Sequence, residues 1–284
     1  MGPGGGHGMR IQEQGSQGMA DGKTHDPAIH PTAIIDPKAE LGRGVTVGPY
    51  SIIGPDVVLG DGCEVMSHVT IHGPAVIGKE NRFFPHCAVG GEPQDKKFKG
   101  ERESRIQIGD RNVIREFVTI NRGSVHGGGL TRVGDENWFM AYCHVAHDCH
   151  VGNLTIFANA STLGGHCVVE DRVYLGGFTA VHQFCTIGTL TMTGGQTMIA
   201  QDVPPYVIAT GNRVRLFGIN RIGMERAGIA DDEIRNIERA YRLFFRSKLT
   251  AKEGLARIDA ELPDSPLVKR FSQFIRESKR GICR

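Results

Sequence analysis

The chain of 284 residues carries 33 Lys and Arg against 31 Asp and Glu, a formal net charge of +2, and 39% of its residues are hydrophobic. This balance is typical of globular proteins and excludes a wholly disordered chain. No apolar run approaches the roughly 18 residues that span a bilayer, and no signal peptide opens the chain. We therefore expect a cytoplasmic protein with reduced thiols, no stable membrane insertion and no nucleic-acid partner.

The N-terminal 28 residues are rich in glycine and polar side chains and offer little apolar surface to bury. Such a segment does not offset the entropy cost of ordering its backbone. We expect residues 1–28 to lie outside the fold, as a disordered tail or an expression remnant.

A six-residue repeat follows the tail. Apolar side chains recur at every sixth position from residue 35 to 89, from 108 to 120 and from 133 to 199, with Thr193 the one polar exception. Glycine often comes next, and 39 glycines with 1 tryptophan suit short strands and tight turns. The pattern predicts an all-β domain over residues 29–211, a parallel β-helix of hexapeptide repeats. Its register breaks at 90–107 and 121–132, which we interpret as loops on the binding face.

Six cysteines share one place in this repeat, four residues after an apolar repeat position. They are Cys63, Cys87, Cys143, Cys149, Cys167 and Cys185. A shared offset predicts a second, smaller inward-facing slot, where a buried thiol behaves as a small hydrophobe.

The pattern turns helical over residues 212–284. One helix is predicted with Asp231 or Asp232 as its N-cap, a second opens at Thr250, and a third, amphipathic helix covers 266–280. Residues 213–284 hold 17 Lys and Arg against 10 Asp and Glu, a net charge of +7, whereas residues 1–212 carry −5. This segment is either an ordinary solvated surface or a docking surface for an acidic partner.

Histidines gather between residues 144 and 182. If three six-residue sides make one coil, residues 18 apart stack about 4.8 Å above one another. His147, Gly165 and Gln183 then form one line, Asp148 and His166 stand on the next, and His182 is adjacent. We expect these positions to form one outward-facing functional patch.

Two chemistries fit such a patch. The spacing His144-x-x-His147-x-x-His150 resembles a set of zinc ligands, as in hexapeptide-repeat carbonic anhydrases. Alternatively, His147 is a general base whose tautomer Asp148 fixes, and the backbone N–H of Gly165 stabilises an oxyanion. No serine or cysteine nucleophile motif accompanies the patch, which favours direct attack by a substrate group on a thioester.

Five motifs and the helical tail together resemble the UDP-N-acetylglucosamine O-acyltransferase family. The motifs are residues 94–97 (QDKK), 144–149 (HVAHDC), 164–166 (GGH), 180–184 (AVHQF) and 200–206 (AQDVPPY). The resemblance runs from about residue 30 to the C-terminus and implies a left-handed parallel β-helix with a C-terminal α-helical domain. It further implies a homotrimer with active sites between subunits and no cofactor or metal.

The resemblance also implies a reaction and its residues. The family transfers an (R)-3-hydroxyacyl chain from acyl carrier protein to the 3-hydroxyl of UDP-N-acetylglucosamine, an early step of lipid A biosynthesis. Here His147 resembles the base, Asp148 its orienting carboxylate and Gly165 the oxyanion donor, while Gly195 matches the position that limits acyl length. The implied substrate-binding residues are Gln94, Asp95, Lys97, His144, His166, His182, Gln183, Asn220 and Arg226.

Two positions depart from the family pattern. Asn121 stands where relatives commonly have histidine, and Ile222 replaces an acidic residue near the nucleotide. Three other functions stay open at this point: a zinc carbonic anhydrase, a paralogous N-acyltransferase acting on the next amino-sugar intermediate, and a non-catalytic scaffold.

Overall fold

The main body is a three-sided prism of short parallel strands. The computed structural model describes residues 26–101 and 103–284, so most of the predicted tail lies outside the described residues. The chain winds from one face to the next, and each face is one sheet. The first face consists of Ala28–Ile29, Thr46–Val47, Glu64–Val65, Arg82–Phe83, Val113–Ile114, Trp138–Phe139, Ile156–Phe157, Tyr174–Leu175, Met192–Thr193, Val207–Thr210 and the antiparallel Arg215–Ile219.

The other two faces have the same construction. The second face consists of Ile34–Ile35, Ile52–Ile53, Thr70–Ile71, Ala88–Gly91, Thr119–Asn121, His144–Val145, Thr162–Leu163, Ala180–Val181 and Met198–Ile199. The third face consists of Glu40–Leu41, Val57–Leu59, Ala75–Ile77, Arg105–Ile108, Leu130–Val133, His150–Val151, Val168–Val169 and Thr186–Ile187.

The repeat dictates this architecture directly. In most strands the second residue is the apolar repeat position and is buried, whereas the first faces outward. His144 pairs with Thr162 and Thr162 with Ala180, which confirms a coil of 18 residues in this part of the wall. All six repeat cysteines are at most 1% exposed, as predicted. The prism is therefore filled by stacked aliphatic, thiol and phenyl side chains.

Two insertions interrupt the coils, and both leave from the edge between the second and third faces. The first runs between Ala88–Gly91 and Arg105–Ile108, so strands occupy both ends of the loop predicted at 90–107. The second lies between Thr119–Asn121 and Leu130–Val133 and contains a 3-10 turn, Val125–Gly127. We name this edge of the prism the insertion edge.

A ladder of buried amides runs along a different edge and keeps the coils aligned past the insertions. The backbone N–H of Asn112 donates to Oδ1 of Asn81, that of Asn137 donates to Oδ1 of Asn112, and that of Thr155 donates to Oδ1 of Asn137, at 2.9, 2.9 and 2.8 Å. The first two steps span 31 and 25 residues instead of 18. Each side-chain amide thus fixes the next coil on its neighbour.

The C-terminal segment packs four helices onto the prism: α1 (Arg221–Arg226), α2 (Asp231–Phe245), α3 (Ala251–Glu261) and α4 (Pro266–Glu277). The boundary differs from the prediction at residue 212, because Arg215–Ile219 is a strand paired with Val207–Thr210. Ala230, and not an aspartate, is the N-cap of α2. Helix α3 begins after Thr250 as predicted, and Thr250 caps it in a capping box. None of the helices described is long and apolar enough to cross a bilayer.

Candidate active site

His147 and Asp148 form a hydrogen-bonded pair on the insertion edge. Nδ1 of His147 lies 2.7 Å from Oδ2 of Asp148, and the two side chains are 13% and 1% exposed. A carboxylate can only accept, so Nδ1 carries the hydrogen and Nε2 is the basic nitrogen. Within the described residues, no hydrogen bond to Nε2 is found. The pair therefore has the arrangement of an oriented general base.

The second insertion holds the carboxylate of this pair. The Ser124 hydroxyl donates to Oδ2 of Asp148 at 2.7 Å, and the Ser124 backbone N–H donates to Oδ1 at 3.0 Å. Burial alone would raise the pKa of Asp148, but the hydrogen bonds from His147 and Ser124 outweigh it and hold that pKa below its usual value. Asp148 is therefore ionised at neutral pH.

Gly165 lies one coil beyond His147, directly against its ring. A Cβ at Gly165 would lie 2.7 Å from Cε1 and 2.8 Å from Nε2 of His147, closer than two such atoms can approach. No hydrogen bond from the Gly165 N–H is found in the part of the chain that the structure describes. The residue that packs against the basic nitrogen thus has a backbone N–H with no partner among the described residues.

The next coil continues the same line. The Phe184 N–H donates to the Gly165 carbonyl at 3.0 Å, which places Gln183 beyond Gly165 as predicted. Nδ1 of the exposed His182 donates to the Gln183 carbonyl at 3.1 Å. The sequence-derived line of His147, Gly165 and Gln183 is therefore present on the insertion edge.

Two further histidines flank the pair, and both are neutral bases at neutral pH. His166 meets His147 edge to face at 5.1 Å and stacks on Phe184 at 4.4 Å. Nδ1 of His144 shares a 2.7 Å hydrogen bond with Oγ1 of Thr119. Burial lowers the pKa of both His166 and His144 below the ordinary histidine value.

The structure does not gather the zinc ligand set suggested by spacing. His144 starts a strand of the second face and His150 a strand of the third, so they lie on either side of the edge that carries His147. In the described ranges, donor atoms that lie within 4.8 Å of one another belong instead to His147, Asp148 and His166. Asp148 in that group already accepts from His147 and Ser124. These contacts suit proton transfer better than they suit ligation.

The first insertion carries the predicted residues Gln94, Asp95 and Lys97. Oδ1 of Asp95 accepts the Lys97 N–H at 3.0 Å, and the Asp95 charge acts on His166, opposing the effect of burial on the His166 pKa. Behind this insertion Asn121 is 8% exposed; its Nδ2 donates to the Glu92 carbonyl, while its Oδ1 has no partner among the described residues. The insertion therefore extends toward the His147 side of the prism.

Asn220 and Arg226 lie elsewhere, beside the first face. They line a cavity of about 770 Å³ with Ile156, Tyr174 and Met192. Asn220 caps α1, since its Oδ1 accepts the Gly223 N–H at 3.1 Å, and Arg226 is exposed. Ile222 is 62% exposed at the same cavity. One copy of the chain does not bring these residues to the insertion edge.

Gly195 also lies apart, on the turn between Met192–Thr193 of the first face and Met198–Ile199 of the second. A Cβ there would have only the Gly177 carbonyl, at 3.5 Å, in contact. A separate cavity of about 450 Å³ runs along the second face, lined mostly by apolar residues and bordered by His182 and Arg213.

Sequence reasoning missed three residues of the site. Ser124 binds Asp148, Thr119 binds His144, and Oγ1 of Thr131 accepts the Asp148 N–H at 2.8 Å. Ser124 lies in the second insertion and Thr131 in the strand that follows it, and both fall where the six-residue period is broken. Thr119 is one coil before His144, but the insertion separates them by 25 residues instead of 18.

Comparison with known proteins gives a consistent result. Residues 202–283 match the model of the second domain of UDP-N-acetylglucosamine O-acyltransferase. An acyl-[acyl-carrier-protein]–UDP-N-acetylglucosamine O-acyltransferase of Janthinobacterium sp. (strain Marseille) is 50% identical over 260 residues, 90% of this chain and 99% of the relative. The enzyme of the same name from Stenotrophomonas maltophilia (strain K279a) is 49% identical over 91% of this chain and 98% of its own.

Solved structures agree. UDP-N-acetylglucosamine acyltransferase from Bacteroides fragilis superposes with a TM-score of 0.87 at 41% identity, covering 90% of this chain and 99% of that one. The Acinetobacter baumannii structure gives 0.87 at 43% identity with the same coverage. The predicted fold, a left-handed parallel β-helix with a helical C-terminal segment, is thereby confirmed. This chain belongs to the UDP-N-acetylglucosamine O-acyltransferase family.

Proposed function

We propose that this chain transfers an (R)-3-hydroxyacyl group from acyl carrier protein to the 3-hydroxyl of UDP-N-acetylglucosamine. The relatives' names give the donor and the acceptor. The observation that supports the chemistry is the His147–Asp148 pair, whose imidazole ring packs directly against Gly165. A base and an oxyanion donor side by side are what acyl transfer from a thioester requires.

His147 acts as the general base in this proposal. Its Nε2 takes the proton of the 3-hydroxyl as that oxygen attacks the thioester carbonyl, and the N–H of Gly165 donates to the developing oxyanion. Collapse forms the ester, breaks the carbon–sulfur bond and returns the proton from His147 to the departing thiolate. Asp148 remains ionised and stabilises the imidazolium.

A covalent enzyme intermediate has no support in the site. Cys149, Cys167 and Cys185 face the interior of the prism and are fully buried. Burial raises the pKa of the Cys185 thiol to about 12. Direct attack by the sugar hydroxyl therefore fits these residues, and the proposal includes no cofactor and no metal.

The remaining site residues are assigned to binding. Asp95 accepts hydrogen bonds from sugar hydroxyls, Lys97 and Arg226 face the diphosphate, and Asn220 lies toward the nucleotide. Gly195 leaves room for a longer acyl chain. The contacts to sugar, diphosphate and acyl chain are completed by Gln94, His144, His166, His182 and Gln183.

We further propose a homotrimer whose sites lie between copies. The insertion edge and the cavity of Asn220 and Arg226 are on different sides of one prism, so one substrate reaches both only if they belong to two copies. The first face also exposes Trp138, Ile156 and Met192 at 36–41%, apolar surface suited to a partner copy.

A cytoplasmic location and a carrier-protein partner complete the proposal. The +7 charge of residues 213–284 suits an acidic carrier protein, which electrostatic attraction would steer toward the helices. In this arrangement the prism supplies the chemistry and the helical segment supplies the docking surface.

The test is an acyl-transfer assay with UDP-N-acetylglucosamine and a series of 3-hydroxyacyl carrier proteins of different chain lengths. We expect a 3-O-acylated product, with the best donor reporting the chain length. Acylation of only the 3-O-acyl, 2-amino derivative would overturn the proposal in favour of the paralogous N-acyltransferase.

Shared sites are tested by mixing variants. His147→Ala and Arg226→Ala chains are co-expressed with different affinity tags, and mixed oligomers are purified. At UDP-N-acetylglucosamine concentrations well below KM, sites between copies predict that the mixture is more active than either parent, since some interfaces pair an intact His147 with an intact Arg226. Activity no higher than that of the parents would contradict the shared site.

A further inference from the structure

The second insertion closes over the carboxylate of the His147–Asp148 pair. We propose that Ser124, within this insertion, is a positioning residue for the general base: it fixes Asp148, and through Asp148 it fixes the His147 ring. This inference rests on the proposed function and extends the His147–Asp148 pair to a hydrogen-bonded set of three residues.

The contacts of Ser124 are short and leave its carboxylate partner little freedom. Its hydroxyl lies 2.7 Å from Oδ2 of Asp148, and its backbone N–H lies 3.0 and 3.1 Å from the two carboxylate oxygens. Ser124 is 3% exposed and the Asp148 side chain 1%. Hydrogen bonds to a buried, ionised acceptor are the strong kind, so these contacts define the plane of the carboxylate.

The orientation of the Asp148 carboxylate depends on both of its side-chain donors, His147 and Ser124. Its backbone is left-handed, with φ of 58°, at a corner of the prism. Oδ2 receives both the His147 Nδ1–H and the Ser124 hydroxyl, at 2.7 Å each. Without the Ser124 hydroxyl, the carboxylate can rotate about its own bond. The His147 ring, which is hydrogen-bonded to it, then rotates as well and changes the direction in which Nε2 points. A base must keep its nitrogen within hydrogen-bond reach of the hydroxyl, so this rotation reduces proton transfer.

A neighbouring glycine lets the insertion come this close. A Cβ at Gly127 would lie 2.1 Å from Oδ2 of Asp148 and 2.5 Å from Cε1 of His166. The 3-10 turn Val125–Gly127 thus packs its backbone against the pair. Gly128 and Gly129 follow with φ of 104° and 76°, a conformation that favours glycine. These glycines therefore allow the backbone of the second insertion to approach closely enough for Ser124 to contact Asp148.

The experiment compares two substitutions at Ser124 by steady-state kinetics. We expect Ser124→Ala to lower kcat about 10-fold, the effect of one hydrogen bond to a charged group, with KM for UDP-N-acetylglucosamine changed by less than about 2-fold. Ser124→Thr keeps the hydroxyl and is expected to restore kcat to within about 3-fold of the unsubstituted protein. The matched control is Ser51→Ala, because Ser51 is also fully buried and donates to a carbonyl, that of Met66, far from the site.

A double-mutant cycle separates positioning from general damage to the fold. If Ser124 acts through Asp148, Ser124→Ala lowers kcat by less than about 2-fold in an Asp148→Asn background. An equal loss in both backgrounds, failure of Ser124→Thr to restore turnover, or an equal loss in Ser51→Ala would overturn the proposal.

A spectroscopic signature makes the result independent of the proposed reaction. The hydrogen bonded between His147 and Asp148 is followed as a low-field proton resonance in the full-length protein. We expect the resonance in the unsubstituted protein and in Ser124→Thr, and its loss or displacement in Ser124→Ala. An unchanged resonance in Ser124→Ala overturns the positioning role, whereas absent turnover in the unsubstituted protein with this expected pattern overturns only the proposed reaction.

Discussion

The insertion edge and the cavity beside α1 differ in how their polar groups are held. At the insertion edge, Asp148 is buried and accepts from two residues. Beside α1, Arg226 is exposed and Asn220 serves its own helix as a cap. The polar groups of the first region are pre-organised, as the proposed catalytic role requires. The second region offers a wide, mostly apolar cavity bordered by Arg172 and Arg226, for which no ion pair is found among the described residues. Under the proposed function, one chain carries the complete set of catalytic groups but only part of the substrate-binding surface.

The largest expected effect comes from removing the base. His147→Ala is expected to lower kcat/KM about 1,000-fold, and by no less than about 100-fold, because general-base catalysis contributes 10²–10⁴-fold. His150→Ala is the matched control, since His150 is exposed on the third face three residues away. Steady-state assays of both variants make the comparison, and near-normal turnover in His147→Ala would remove its assigned role.

The next effect tests the close approach of Gly165. A methyl group at this position would lie 2.7–2.8 Å from two ring atoms of His147, so the ring must move. We expect Gly165→Ala to lower kcat about 100-fold, the cost of a misplacement of about 1 Å in a catalytic group. In the control, Gly177→Ala, the new Cβ meets the Asn159 carbonyl at an ordinary 3.4 Å. Equal activity of the two variants would contradict the inferred crowding.

A smaller effect is expected at the cavity beside α1. Arg226→Ala is expected to raise KM for UDP-N-acetylglucosamine about 10-fold with kcat nearly unchanged, as for a charged contact made equally in ground and transition states. Arg235→Ala, which removes an exposed arginine from α2, serves as the control. A fall in kcat without a change in KM would assign Arg226 to the chemical step instead.

The smallest expected effect is the pH-dependent contribution of Asp148 to the stability of the fold. The folded-state pKa of Asp148 lies below the ordinary aspartate value of 3.8, so its stabilising contribution is present above that pH and is lost as pH falls below it. We expect Asp148→Asn to lower Tm by about 3 °C at neutral pH, the shift for roughly 1 kcal/mol in a chain of this size, and to differ less from the unsubstituted protein below pH 3.8. Thermal unfolding across this range provides the measurement, and a difference that grows toward acid would reverse the assigned sign.

The regular part of the prism was predictable because the six-residue period determines which residues stack on one another in successive coils. Eighteen residues per coil place Gly165 on His147 and His166 beside Asp148, and the structure shows both proximities. The insertions follow no period, so nothing in the sequence places Ser124 on Asp148. Strand Arg215–Ile219 was missed for a related reason: it pairs antiparallel with a strand outside the repeat. The repeat thus predicts the prism, whereas the contacts that the insertions make with it are visible only in the three-dimensional structure.

The amide ladder has a consequence for how such enzymes diversify. Asn81, Asn112 and Asn137 bring successive coils back into line on one edge, whatever length of chain departs from another. An insertion can grow, shrink or be exchanged while the His147 imidazole keeps its position along the prism. If the first insertion binds the acceptor sugar as proposed, a change of acceptor requires a change in that insertion alone and leaves the stacked coils intact.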